Sequence, residues 1–196
     1  MIVLIDNGHG ENTPGKCSPD KRLREYKYCR EIAEALCKAL AAKGYQARRI
    51  VKEETDVSLS ERCKRVNAVC DAMGAKNVLL VSIHNNASGN GSWKTASGWS
   101  GWAYTKGSER SRLLARSLYE AAEKRGLQGN RSVPAEKYWT ANFFILKHTN
   151  CAAVLTENLF QDNKKDVDYL LSDEGRKAIV DLHVEGVENY IKSVKS

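Results

Sequence analysis

The chain has 196 residues, of which 42% are hydrophobic and 28% charged, and its formal net charge is +7. That length holds one domain with a sizeable core but not two large ones, and no run reaches the roughly 20 apolar residues of a membrane span, so no stable membrane insertion is expected. The excess of cations favours a polyanionic partner, either nucleic acid or an anionic cell wall; no nucleic-acid-binding motif is present, so nucleic acid is not expected.

Residues 2–6 form an apolar run that ends in Asp6-Asn7-Gly8 and predicts a buried strand. The same opening lacks the basic segment and cleavage site of a secretory leader, so synthesis in the cytoplasm is expected. Residues 11–22 are rich in Gly, Pro, Ser, Lys and Asp and read as a loop. From about Glu25 to Lys43, Tyr28, Ile32, Leu36 and Leu40 recur every fourth residue, the pattern of an amphipathic helix closed by Gly44. A strand is expected at 45–51. Ser58-Leu59-Ser60-Glu61 has capping-box spacing, and behind it Leu59, Cys63, Val66, Cys70 and Met73 form a helical apolar stripe that stops at Gly74. Val78 to Ile83 is another buried strand. Residues 88–101 are loop-like, with Trp93 and Trp99 among Gly and Ser. The remainder predicts a helix over about 108–125, irregular chain over 126–141, and strands at about 143–146 and 151–156. A short helix near 165–171 and a last one from Glu174 to Ser193 close the chain.

Strands alternating with helices predict an α/β class fold: one domain spanning residues 1–196, a sandwich with a mostly parallel central sheet. A monomer is the default expectation. Six cysteines (Cys17, Cys29, Cys37, Cys63, Cys70 and Cys151) are dilute and contain no CxxC pair. Most read as reduced core residues, and a disulfide framework is the weaker reading.

Open α/β sheets bind ligands beyond the carboxyl ends of their strands. Strand 2–6 is followed by Asn7-Gly8-His9-Gly10, strand 78–83 by His84-Asn85-Asn86, and strand 151–156 by Glu157-Asn158. Two histidines and a glutamate therefore share one rim, and Gly8 and Gly10 suit a tight turn with close backbone approach around His9. Two histidines with a carboxylate make a catalytic zinc set, which uses three protein ligands and leaves a fourth position open. Glu25 opens the first helix at the same rim and is the best third ligand, while Glu31 and Glu34 lie further along and read as solvated. Glu157 is then free as a general base or acid. His148 is a weaker candidate for lining the cleft, and His183, inside the last helix, reads as structural.

These residues carry a resemblance. Ile5-Asp6-Asn7-Gly8-His9-Gly10, Glu25 with Ile32-Ala33, Leu36 and Leu40, Leu59-Ser60-Glu61-Arg62 with Asn67, Ser82-Ile83-His84-Asn85-Asn86-Ala87 and Val154-Leu155-Thr156-Glu157-Asn158-Leu159-Phe160 follow one another along nearly the whole chain. Together they resemble the zinc-dependent N-acetylmuramoyl-L-alanine amidases of phosphorylase/hydrolase-like fold, found in cell-separation amidases, sporulation lysins and phage endolysins. Asn7 stands where that family has proline, Glu11 where it has a second glycine, and Leu159 where it has the glycine before Phe160. These departures bear on loop shape more than on ligands.

The resemblance implies that His9, Glu25 and His84 bind Zn2+ and that Glu157 is the catalytic carboxylate. It implies cleavage of the amide between N-acetylmuramic acid and L-alanine of the peptidoglycan stem peptide, with action at the cell wall and a phage or prophage lysin as one source. Trp93, Trp99 and Trp102 are candidates for stacking on substrate or for anchoring their loop. Three readings compete: another zinc peptidase acting on stem-peptide bonds, a non-catalytic wall-binding module and, against the missing motif, nucleic-acid binding through the basic face.

Overall fold

In the computed structural model, which describes residues 1–89 and 91–195, the opening apolar run is an inner strand of a six-stranded sheet. The strands are β1 (Ile2–Asn7), β2 (Gln46–Arg49), β3 (Val78–Asn86), β4 (Ser100–Tyr104), β5 (Trp139–Ala141) and β6 (Ala152–Phe160), in the order β2-β1-β3-β6-β4-β5. β2, β1, β3 and β6 are parallel to one another; β4 runs antiparallel to β6 and parallel to β5. Every residue of β1 is buried, as a parallel strand covered on both faces requires.

The helices are α1 (Glu25–Ala42), α2 (Leu59–Met73), α3 (Glu109–Glu123), α4 (Phe144–Lys147), α5 (Lys164–Leu171) and α6 (Asp173–Ser193). One core layer joins Val3, Ile5 and Val81 to the apolar stripes of α1, α3 and α6. The other joins Leu4, Leu80 and Leu155 to Cys63, Val66 and Cys70 of α2 and to Ile145 and Leu146 of α4. The expected α1 face is the buried one: Tyr28, Ile32, Leu36 and Leu40 all turn inward. At α2 the Ser58 side chain accepts the Glu61 amide at 3.2 Å, the first half of the expected capping box.

Three local expectations are corrected. Residues 143–146 are not a strand but the short helix α4, and the strand lies just before, at Trp139–Ala141, in chain expected to be irregular. A four-residue apolar run does not distinguish the two states. Here Ile145 and Leu146 are adjacent and both pack into the α2 layer, which one helical turn allows and an alternating strand does not. The third correction is β4, whose start at Ser100 lies inside the expected loop. Its Gly101 and Ala103 pack tightly while Trp102 and Tyr104 stay half-exposed, a period-two pattern.

Cys29, Cys63, Cys70 and Cys151 are buried, Cys17 and Cys37 partly so, and no disulfide is present among the described residues. Burial pushes the Cys29, Cys63, Cys70 and Cys151 thiols up, which keeps them protonated and unreactive.

Candidate metal centre

The turn after β1 brings His9 over the carboxyl end of the sheet with a left-handed backbone, φ 61°. Its glycine neighbours are there for space. A Cβ on Gly8 would lie 2.3 Å from the His84 ring, and one on Gly10 would lie 2.0 Å from the Asp56 backbone. Two buried arginines hold the turn. Arg62 donates to the Asp6 carboxylate (2.6 Å), the Asn7 carbonyl (2.7 Å) and the His9 carbonyl (3.2 Å). Arg30, from α1, donates to the same His9 carbonyl at 3.1 Å. Ser82 closes the network by donating to the other Asp6 oxygen at 2.5 Å.

Glu25 is the first residue of α1 and is buried beneath the turn. Its Oε1 lies 3.3 Å from His9 Nε2 and 3.2 Å from His84 Nδ1, and accepts the Asn85 amide at 3.0 Å. The ligating atoms of His9, Glu25 and His84 all lie within 4.8 Å of one another. Tetrahedral ligands about 2.0–2.1 Å from a zinc ion stand about 3.3 Å apart, so the separations of Glu25 Oε1 from the two histidine nitrogens fit edges of such a tetrahedron. Glu25 Oε2 is buried and has no hydrogen-bond partner.

The electrostatics agree with the geometry. Burial pushes the Glu25 carboxyl up, but His84 and His9 outweigh it and hold the group well below the usual carboxylate range. Burial pushes His84 down, and the Glu25 carboxylate more than offsets this, so its pKa is raised. Both shifts describe a cluster that favours a positive charge at its centre, which a proton or a metal ion supplies.

His84 and Glu157 sit within the last residues of β3 and β6 rather than after them, opposite one another in the strand register. Asn158 supports this pair: its side chain donates to the His84 carbonyl at 3.0 Å and accepts Trp99 Nε1–H at 2.8 Å. Burial pushes the Glu157 carboxyl up to about 7, although the charges of His84, Lys16 and Arg131 oppose that rise. Glu157 Oε2 has no hydrogen-bond partner. Glu157, His9 and His84 line an open cleft of about 360 Å³ whose other walls include Lys16, Leu59, Phe143 and Phe144.

The other singled-out residues lie elsewhere. Trp99 is fully buried and anchors its loop, Trp93 is partly exposed, and Trp102 packs against Trp139 and Phe143. His148 is outside the cleft lining: its ring packs on Phe144, and its Nδ1–H points to the Phe144 carbonyl at 2.9 Å. His183 is structural, buried between the Ile179 carbonyl and Thr156. Glu31 and Glu34 are exposed on the outer side of α1. The roles of Arg30 and Arg62 were not assigned from the sequence. The available signal was Arg62 beside Cys63 on the buried stripe of α2, where an arginine needs partners.

A family model for N-acetylmuramoyl-L-alanine amidases matches residues 3–189. The chain is 27% identical to the endolysin of Bacillus phage SPP1 over 202 residues, which cover 99% of this chain and 67% of that protein. It is 26% identical over 193 residues to the probable cell wall amidase LytH of Staphylococcus epidermidis, covering 97% of this chain and 58% of LytH. The chain thus spans less than two thirds of LytH. The solved N-acetylmuramoyl-L-alanine amidase of Clostridium difficile 630 matches with a TM-score of 0.84 at 27% identity, over 98% of this chain and 97% of that one. The catalytic domain of CwlV from Bacillus (Paenibacillus) polymyxa var. colistinus shares the fold, with a TM-score of 0.80 at 21% identity over 97% and 98%. This chain belongs to the N-acetylmuramoyl-L-alanine amidase family, and its buried Glu25 with the partly exposed His9 and His84 forms a cluster with the geometry of a zinc amidase centre.

Proposed function

We propose that the chain hydrolyses the amide between the lactyl group of N-acetylmuramic acid and the L-alanine of the peptidoglycan stem peptide, and so acts at the cell wall. In this reading His9, Glu25 and His84 hold Zn2+, and Glu157 is the general base and then the general acid. The observation that carries it is the convergence of the three-ligand cluster with the Glu157 carboxylate, whose Oε2 is buried and unpartnered, on one open cleft. When bound, zinc supplies Lewis acidity, polarising the scissile carbonyl and easing deprotonation of water.

The protein's own part is proton transfer. Glu157 takes one proton from the attacking water as the C–O bond forms. It returns that proton to the alanine nitrogen as the C–N bond breaks, leaving a muramic acid carboxylate and a free N-terminal alanine. Desolvation places the Glu157 pKa at about 7, between the values suited to accepting and to donating, and a cation in the cluster favours the ionised form in which the cycle starts. All four groups come from one chain, so a monomer is sufficient, and the reading involves no nucleic acid.

Digestion of purified peptidoglycan with and without chelator, with zinc add-back, tests this. The expected product is new N-terminal alanine, lost with chelator and restored by zinc. Glu157→Ala retains stoichiometric zinc and loses turnover by about 10²–10⁴-fold. His9→Ala and His84→Ala lose both zinc and turnover. Release of other new N-termini would favour a stem-peptide peptidase, and no product from folded, zinc-loaded protein would overturn the hydrolytic reading.

A further inference from the structure

Beside Glu157 the sheet continues from β6 into β4 and β5. Ser100 faces Glu157 across the β4–β6 pair, and Trp102 faces Leu155. Trp102 Nε1–H donates to Ser100 Oγ at 3.0 Å, so both side chains lie on the face that carries Glu157. Trp102 meets Trp139 of β5 at 6.0 Å and Phe143 at 5.7 Å, and Phe143 is itself a wall of the cleft.

Over this aromatic floor lies Arg131. Its guanidinium carbon is 5.0 Å from the Trp139 ring centroid, 5.4 Å from Phe160 and 6.0 Å from Trp102. Other arginines of the interior and its rim are satisfied: Arg30, Arg62, Arg65 and Arg125 all donate to carbonyls or carboxylates. Arg131 makes no hydrogen bond or ion pair among the described residues. Ring faces attract its charge but leave the in-plane N–H donors free. The result is a half-buried planar donor fork, fixed by three rings and lacking an anion, close enough to Glu157 for their charges to interact. Carboxylates match that fork bidentately.

The amidase reading supplies such a carboxylate. In a peptidoglycan stem the residue after L-alanine is a γ-linked glutamate, whose α-carboxyl is either free or amidated. One alanine separates it from the scissile amide, a reach of about 7 Å. The rings under Arg131 belong to β6 and the next two strands, spaced about 4.8 Å apart, so the guanidinium stands within one or two strand spacings of the strand that carries Glu157. We propose that Arg131 binds the α-carboxylate of the second stem residue and makes the enzyme prefer stems in which that group is free. This rests on the amidase reading and adds a specificity-determining residue to it.

The test uses two soluble muramoyl tripeptides that differ only in a carboxylate or a carboxamide at that position, with the zinc-loaded protein. Wild type is expected to favour the carboxylate by roughly tenfold to a hundredfold in kcat/KM, chiefly through KM. Arg131→Gln is expected to bring the two substrates to equal kcat/KM, with zinc content, thermal midpoint and carboxamide turnover near wild type. Arg131→Lys is expected to keep part of the preference through charge alone. Equal use of both substrates by wild type, or an unchanged ratio in Arg131→Gln, overturns the assignment while leaving the amidase reading intact. An equal loss on both substrates in Arg131→Gln also overturns it, in favour of a purely structural role. Cleavage of neither substrate by wild type removes the amidase reading, and the proposal with it.

Discussion

His9, in the metal cluster, and Leu159, two residues after Glu157 in β6, both hold left-handed backbone, at φ 61° and 60°. For a residue with a Cβ this conformation costs about 1–2 kcal/mol. The family pattern places glycine at the position of Leu159, and the backbone angle supplies the physical reason. Leucine persists because its side chain is buried in the α1–α3–α6 layer, and losing such burial costs about 2–5 kcal/mol, which exceeds the strain. Leu159→Gly is therefore expected to destabilise the protein. Leu159→Ala should be worse by about 1 kcal/mol, because alanine loses the packing and keeps the strain. Ordinary strand positions show the reverse order. Urea unfolding of the two variants checks this, and an alanine variant more stable than the glycine one would rule out the strain argument. Of the other departures, Asn7 is buried with both amide atoms unpartnered, whereas Glu11 is exposed. Neither departure removes a ligand from the cluster.

At the scale of elements, α2 links folding to the site through one residue. Its apolar stripe packs on the sheet, and Arg62, beside that stripe, reaches under the His9 turn. The Arg62–Asp6 pair is buried, so removing only the arginine leaves a carboxylate stranded beside a hydroxyl. Arg62→Met is expected to cost about 3–5 kcal/mol and to weaken zinc binding, since the His9 carbonyl loses one of its two clamps. Adding Asp6→Asn should recover much of the stability. Denaturant unfolding with a parallel zinc titration measures both, and an Arg62→Met protein with wild-type stability would contradict the account. Elements of this kind were legible to different degrees. The α1 stripe and the β1, β3 and β6 runs could be read directly, because long helices and doubly covered strands leave strong periodic or continuous patterns. His9, His84 and Glu157 became visible together because each adjoins one of those runs. β4, β5 and α4 were not legible in the same way. They are short, lie toward the β5 side of the sheet, and owe their state to contacts among Trp102, Trp139 and Phe143 that come from separate segments. Arg131, in irregular chain, offered no local signal at all, since its three rings converge only in the folded sheet.

Across the whole molecule, the α6 layer is joined to β6, the strand that carries Glu157, through His183. Its Nδ1 lies 2.7 Å from the Ile179 carbonyl, which can only accept, so Nδ1 carries the proton and Nε2 faces the Thr156 hydroxyl at 3.0 Å. Thr156 immediately precedes Glu157. Full burial lowers the His183 pKa from 6.5 to about 4. Between those two pH values the unfolded chain binds a proton that the folded protein refuses, so stability rises with pH across that window. The contribution is present in full above about pH 6.5 and is lost on acidification, reaching about 3 kcal/mol near pH 4. His183→Gln cannot titrate, while every other acid-sensitive group remains common to both proteins. The stability advantage of wild type over His183→Gln is thus expected to be largest at about pH 7.5 and to shrink by about 3 kcal/mol at about pH 4. Guanidinium unfolding of the metal-free proteins at both pH values reads this difference. A gap that stays constant with pH would show that the folded protein admits the proton, and that burial at the α6–β6 contact does not set its acid stability.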